Sequence, residues 1–595
     1  MNKQFKYLVL LLVVTTFLYL PSLKNKFNNW DDAAYILSNP HIELNKANVE
    51  KSFLQGEVHR MYAPLTALSN SIVYHFYGLN PRPYILINLI IHLCNIILIF
   101  IFISLIIKNP YVPLITAVLF ALHPMQVESV AYAAGRRDVL YVFFYVLCLI
   151  FYIRSLERKK LHVIKYVLSL LFALLALLSK GQALTIPFTL VLISMFMDRK
   201  WNSKSFWLDK LPYFLITAVI AYKIFSAPQY AAGGFTNSSY MDSSIPVVNR
   251  IVYAVYGFVQ YIILLLVPYK LSLVHPYPEI DGKYIIPGLY YFYIIIFSGL
   301  IYFFFRYARK NKFLWFGLAF FAVNIFMLLQ LIPNSYGIMN DHYVYFAGVG
   351  IFFIIGKNVS DKLQNKKYVA VLVFVFIIYS IILSVLSFQR INVFKDSVTV
   401  WGDVIAKYPE CYMAYNNRGL ANYDKGLINK AMNDYTKAIE LKPDYAAPYN
   451  NRGVVYNDQR MFDKAITDYR QAIELAPNYA DAYYNRANTL ASQGLFFIAI
   501  TDYTKAIELN PDNAMSYNNR GAIYNDEGLY DKAIDDYTKA IELTPDYALA
   551  YNNRGLACYN NGLFDKACQD FNKAGELGSE EAKENAEKYC NNNKK

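Results

Sequence analysis

The 595-residue chain is poor in charge: Asp, Glu, Lys and Arg make up 17% of it, against 56% for the hydrophobic residues. That balance excludes an ordinary soluble globular protein, in which about a quarter of the residues are charged. Cysteine is scarce as well, six in all. The six lack zinc-ligand spacing, and no other motif asks for a metal, so none is expected. Cys94 and Cys148 lie within apolar runs, while Cys558, Cys568 and Cys590 leave room for one disulfide if the tail faces an oxidising space. The formal net charge of +13 does not imply a nucleic-acid partner, because many basic residues fall in short clusters between apolar runs.

What is present changes character near residue 400. Long apolar runs come before it, and a 34-residue period comes after it. Crossing a hydrocarbon core of about 30 Å takes about 20 apolar residues. Candidate spans fall at roughly 6–22, 84–107, 111–127, 138–154, 162–178, 182–197, 211–226, 285–305, 313–332, 343–357 and 367–387. The first has the outline of a signal peptide but no small-residue cleavage site, and reads as an uncleaved helix. Basic clusters at Lys3 and Lys6, Arg158 with Lys159 and Lys160, Arg199 with Lys200, Arg306 with Arg309 and Lys310, and Lys366 with Lys367 mark cytoplasmic ends. Eleven crossings put all of them on one side. The apolar stretch 250–267 would break that parity if it crossed once, so it is read as interfacial or re-entrant. The N-terminus is then cytoplasmic, and the loops 23–83, 128–137 and 227–284 lie on the other side with the C-terminal half.

Those outward loops hold the chemistry-bearing residues. Trp30-Asp31-Asp32 follows the first span. Two adjacent carboxylates near a bilayer suit proton transfer, and they suit equally the capping of a helix begun by Ala33-Ala34-Tyr35-Ile36. The stretch 123–138 brings together His123, Glu128, Arg136, Arg137 and Asp138. Arginine's planar fork fits a phosphate oxygen; the other reading is an internal pair between Glu128 and Arg136 or Arg137 that fixes the turn. Lys180 lies in a short outward turn, to hold a phosphate or to snorkel to the interface. Asp341-His342-Tyr343 opens the tenth span with a titratable pair.

After residue 411 the 34-residue unit has the tetratricopeptide pattern, with small residues where two helices cross and aromatics where they interlock. Ala431, Ala465, Ala499, Ala533 and Ala567 are the crossing residues, and Tyr435, Tyr469, Tyr503, Tyr537 and Phe571 the rings. One unit cannot bury its apolar face alone, so five units and a polar end helix form one superhelix. Asparagine recurs once in each first helix, at Asn417, Asn451, Asn485, Asn519 and Asn553. A row of amides can bind an extended peptide along an acceptor groove, or it can tie neighbouring helices together.

The ordered set of Trp-Asp-Asp-x-x-Tyr-Ile-x-x-Asn-Pro at 30–40, His-Pro-x-x-x-Glu-x-Val-Ala-x-x-x-x-Arg-x-Asp-x-Leu at 123–140, Ser179-Lys180 and Asp-x-Tyr-x-Tyr at 341–345 resembles the GT-C glycosyltransferases. Followed by Gln389-Arg390 through Trp401 and then by repeats, it is most similar to the transmembrane and tetratricopeptide-repeat O-mannosyltransferases and their bacterial relatives. The resemblance implies a polyprenyl-phosphate sugar as donor substrate, with no separate cofactor. It makes Asp31 or Asp32 the catalytic acid residue that activates the acceptor, Asp31 being favoured. Glu128, Arg136, Arg137, Asp138, Lys180 and His342 are the donor pocket, with His342 standing where relatives usually have Arg.

The expectation is an all-α chain: a polytopic GT-C-like membrane bundle of about 11 spans over 1–390, a connector at 391–411, five repeats over 412–581, and a capping helix and tail at 582–595. The bundle is expected to be an inverting glycosyltransferase moving a hexose, mannose by preference, to hydroxyls of a protein acceptor that the repeats recruit outside the cytoplasm. Transfer to a glycolipid or cell-wall polymer is the rival among enzymes, and a non-enzymatic scaffold of a secretion or polysaccharide-export complex the rival outside them. The bilayer is a partner in each case.

Overall fold

The computed structural model describes residues 3–39, 41–54, 62–156, 162–226, 245–280, 283–331, 337–363 and 366–590. Pro40, the cluster Arg158, Lys159 and Lys160, and the tail 591–595 lie outside the described residues, as do the side chains of Lys3, Lys366 and Lys367. The chain forms two compact units, one running to Arg418 and the other beginning at Gly419. The segment 391–411 therefore packs within the first unit. Among the described residues, strands are confined to two short antiparallel pairs, one joining His275–Pro276 to Gly337–Met339.

In the first unit every expected apolar run is helical. Among the described residues six helices are long and apolar enough to cross a membrane, Gln4–Lys24, Pro81–Ile106, Ala133–Ser155, Val247–Leu266, Gly288–Lys310 and Val369–Val393, and a bent pair, Tyr111–Leu122 with Pro124–Ala131, would make a seventh if it is one span. Val247–Leu266 covers the stretch read from the sequence as interfacial, and it has the length and hydropathy of a span. Its Asn249 and Tyr253 side chains donate to the backbone carbonyls of Tyr284 and Ile285, and its Tyr261 hydroxyl to that of Asn340. Helix Tyr111–Leu122 stops at His123 because Pro124 has no N–H and holds His123 extended (φ −74°, ψ 131°). The chain continues as Pro124–Ala131, bent by 60° from the first part. That bend brings Glu128 back over the bundle.

Close backbone approach holds the interior. A Cβ on Gly317 would meet the Gly350 carbonyl oxygen at 2.6 Å, and one on Gly350 would meet that of Gly317 at 2.4 Å. Helices Lys312–Ile325 and Gly348–Lys362 thus cross at a reciprocal pair of glycines, the packing that apolar helices use where water offers no hydrophobic drive. Several buried polar side chains are paired across helices, as His92 Nδ1 with the Tyr345 hydroxyl at 2.7 Å and Asn95 Nδ2 with the Val139 carbonyl at 2.9 Å.

The second unit is a stack of helix pairs, from Ala446–Asp458 with Phe462–Leu475 to Ala548–Asn560 with Phe564–Glu576, ended by Glu580–Cys590. The crossing alanines are fully buried. Four of the five rings lie on a glycine of the preceding helix, Ala487 taking that place before Tyr503: a Cβ on Gly453 would meet Tyr469 at 2.7 Å, and one on Gly555 would meet Phe571 at 2.6 Å. The recurring arginines are forks onto an aspartate sixteen residues on, with Arg452 to Asp468, Arg486 to Asp502, Arg520 to Asp536 and Arg554 to Asp570 at 2.7–2.9 Å. Gly494, Gly528 and Gly562 turn between helices at φ of 73–79°; Arg460 does so at 58°. Cys568 and Cys590 form the disulfide, fastening the end helix to the last repeat across a Cα–Cα distance of 5.7 Å, and Cys558 stays free and buried.

Candidate functional site

The two aspartates that follow the first apolar helix are adjacent in sequence and opposite in environment. Asp32 is fully buried. Its Oδ1 accepts the Ala134 N–H at 2.7 Å, its Oδ2 accepts the Asn28 N–H at 2.9 Å, and its own N–H donates to the Tyr132 hydroxyl. No side-chain bond caps the helix that follows. Asp32 anchors one loop to another, so the capping reading is replaced by a cross-loop tie. Burial raises its pKa, against the pull of the two backbone N–H groups. Asp31 keeps a quarter of its side chain exposed and accepts from Arg137 at 2.5 Å. Arg137 also lies 4.7 Å over the Tyr35 ring.

The turn 132–135 can pack so closely only because residue 135 is glycine: a Cβ there would lie 2.4 Å from the Ser129 carbonyl oxygen. Directly after it the helix Arg136–Ser155 begins and sends its first three side chains in different directions. Arg136, fully buried, donates to Asn88 Oδ1, Ser69 Oγ and the Tyr84 carbonyl at 2.5–2.9 Å. These acceptors are neutral, and Arg136 braces three helices. Asp138 takes the Lys180 ammonium on Oδ1 and the Ser129 hydroxyl on Oδ2. Lys180 therefore turns inward onto a carboxylate and does not snorkel to the interface. Burial lowers its pKa while Asp138 opposes the shift.

The alternative reading, a pair between Glu128 and Arg136 or Arg137, is not what the structure forms. Glu128 Oε1 meets His342 Nδ1 at 2.5 Å, and Glu128 Oε2 is buried with no partner. The loop carrying His342 is held by its neighbour: Asp341 meets His275 Nε2 at 2.9 Å and Arg390 at 3.4 Å. The structure thus brings together four carboxylate pairs, Asp31 with Arg137, Asp138 with Lys180, Glu128 with His342 and Asp341 with Arg390, all buried except for Asp31, at the ends of apolar helices. Buried pairs of this kind are costly and mark function more often than stability. Among the described residues no three His, Cys, Asp or Glu side chains are grouped to hold a metal ion. Sequence reading missed His275, Asn88 and Asn29, since none sits in a spaced pattern; Tyr35 fell inside the recognised stretch 30–40, and Arg390 and Trp401 inside 389–401, without a role.

In the repeats the asparagine row makes bonds between successive units. Asn485 Nδ2 donates to Asn450 Oδ1 at 3.0 Å, Asn519 Nδ2 to Asn488 Oδ1 at 3.1 Å, and Asn553 Nδ2 to Asn518 Oδ1 at 3.1 Å. Asn451 accepts from Asn450, and Asn417, in the first unit, from Asn416. The helix-tying reading is the one these contacts display. Asn451, Asn485, Asn519 and Asn553 nonetheless remain half-buried.

Comparison with known proteins adds a lineage to this geometry. The "TPR repeat" family matches residues 419–459, 461–494 and 522–562, and "Tetratricopeptide repeat" matches 480–513. A protein O-mannosyl-transferase of Caenorhabditis elegans is 21% identical over 473 residues, which are 74% of this chain and 63% of that one. Over these stretches the chain is similar to the protein O-mannosyl-transferases. Human protein O-mannosyl-transferase TMTC1 is 33% identical over 109 residues, 18% of this chain and 12% of its own, and the Drosophila melanogaster Tmtc1 is 30% identical over 176 residues, 28% of this chain and 20% of its own. These matches span a fifth or less of the human and fly proteins' length. Among solved structures, the MamA protein is 30% identical, covering 29% of this chain and 96% of its own with a TM-score of 0.27.

Proposed function

We propose that this is a membrane glycosyltransferase that moves a hexose, mannose by preference, from a polyprenyl phosphate to hydroxyls of a protein acceptor outside the cytoplasm. The observation that carries the proposal is the environment of Asp31: an accessible carboxylate, beside a row of buried cations, at the ends of helices able to span a membrane. Asp31 is the base that takes the acceptor proton as the hydroxyl oxygen attacks the anomeric carbon from the face opposite the leaving phosphate. Arg137 and Lys180 supply the positive charge for that leaving group and His342 a ring N–H, each now held by a carboxylate that a phosphate can partly replace. Arg136 keeps their helix in place. The names of the relatives support mannose and a protein acceptor. Sidedness is supported by the basic clusters of the helix ends and by the Cys568–Cys590 bridge, since disulfides persist in oxidising spaces. The repeats recruit the acceptor.

The reading is tested by incubating the purified protein in nanodiscs with radiolabelled polyprenyl-phosphate sugars and protein acceptors. Label should pass from the mannosyl lipid to protein in a linkage that alkali releases by β-elimination, as expected of a sugar on Ser or Thr. Absence of transfer from every polyprenyl-phosphate sugar would overturn the reading.

A further inference from the structure

The stretch after the last span, expected to be a connector, forms part of the site wall. Trp401, on helix Ser397–Lys407, is fully buried. Its Nε1–H donates to Asn29 Oδ1 at 2.8 Å, and its ring meets Trp30 edge-on with centroids 5.2 Å apart. The Asn29 N–H donates to Ser397 Oγ at 2.9 Å, Asn29 Nδ2 to the Asn417 carbonyl at 2.8 Å, and the Lys26 N–H to the Lys395 carbonyl at 2.9 Å. Residues 395–417 thus grip residues 26–30, immediately before Asp31. The same helix reaches the other end of the row: Asp403 binds Arg390 at 2.9 Å, and the Tyr408 hydroxyl, one residue past the helix, meets His275 Nδ1 at 2.6 Å. Both of those partners hold Asp341, the residue before His342.

The sequence separation shows why this matters. Asp31 sits on a loop, and a loop carboxylate samples many positions unless something fixes the backbone beside it. Asn29 uses both ends of its amide for that purpose, accepting from Trp401 and donating to Asn417. We propose that helix Ser397–Lys407, through Trp401 and Asn29, is the positioning arm of the site, setting where Asp31 stands opposite the Glu128–His342 pair. The inference rests on the proposed role of Asp31 and extends it to residues that touch no substrate. A base displaced by about 1 Å can cost about 10²-fold in rate.

The experiment uses the full chain in nanodiscs with polyprenyl-phosphate mannose and reads transfer kinetics and backbone hydrogen exchange over residues 28–34. Asn29→Ala removes both links and should lower kcat by about 10- to 100-fold with the donor KM little changed. Trp401→Phe keeps an aromatic ring beside Trp30 but removes the N–H with the pyrrole part of the indole, leaving the Asn29–Asn417 link in place, and should give a smaller loss in the same parameter. Because the arm acts through Asp31, adding Asn29→Ala to Asp31→Asn should cost nothing further, whereas a general structural defect would add its loss to that of Asp31→Asn. Exchange over 28–34 should quicken in both arm variants. Wild-type exchange in Asn29→Ala, or losses that add in the double variant, would overturn the proposal. If the wild type transfers no sugar from any polyprenyl phosphate, the function falls, and the exchange comparison alone then decides whether the arm holds the loop.

Discussion

The two units join their polar residues over different distances along the chain. In the repeats the strong pairs are local, each arginine fork closing on an aspartate sixteen residues away, and the pattern returns every 34 residues. In the membrane unit the pairs join residues 106 apart for Asp31 and Arg137, 214 apart for Glu128 and His342, and 372 apart for Asn29 and Trp401. Local, repeated pairs stabilise a module and can be lost one at a time. Distant, unrepeated pairs define one geometry, which is what a site for chemistry requires.

The largest effect should come from separating the two aspartates of the first loop. Asp31→Asn removes the base while keeping its size, so turnover should fall by about 10² to 10⁴ with the melting temperature almost unchanged. Asp32→Asn leaves one backbone N–H without its acceptor, and should lower stability by about 1 to 3 kcal/mol. A full-rate Asp31→Asn enzyme would break the assignment of roles. The repeats should respond less sharply: Arg520→Ala strands the Asp536 carboxylate and should cost about 1.5 to 3 kcal/mol in the array's own unfolding transition, leaving transfer to a short peptide intact. Asn519→Ala removes neutral bonds to the neighbouring repeat and should cost about 0.5 to 1.5 kcal/mol; an unchanged melting temperature with weaker acceptor binding would instead favour the groove role of this row. The smallest change should be a gain. Arg460 occupies the left-handed turn that other repeats fill with glycine, so Arg460→Gly should stabilise the array by up to about 1 kcal/mol, measured by thermal unfolding.

The same contrast explains what could be read from the chain beforehand. Alanines, rings and arginines at a 34-residue spacing reveal the array because its contacts obey the repeat. Apolar runs reveal the helices of the membrane unit, although Val247–Leu266 shows that hydropathy alone does not say which runs form whole spans. Asp31, Glu128, Arg137, Asp138, Lys180 and His342 were recognisable as chemistry-bearing residues in outward loops. Their pairing was not: the only pair read from the sequence as an alternative put Glu128 on Arg136 or Arg137, and after the bend at Pro124 it meets His342 instead. Trp401 and Asn29 were hidden for the same reason, as their contact exists only once the last span returns the chain to the first loop.

The most direct test of the division of labour compares the full chain with one ending at Arg418, which retains the Trp401 arm. Both are reconstituted in nanodiscs and supplied with polyprenyl-phosphate mannose and either a short hydroxyl-bearing peptide or a folded protein acceptor. The shortened chain should glycosylate the peptide at close to the full rate and lose most transfer to the protein, because the local concentration supplied by a tethered binding surface is gone. Transfer to the protein acceptor at the full rate without residues 419–595 would contradict the account.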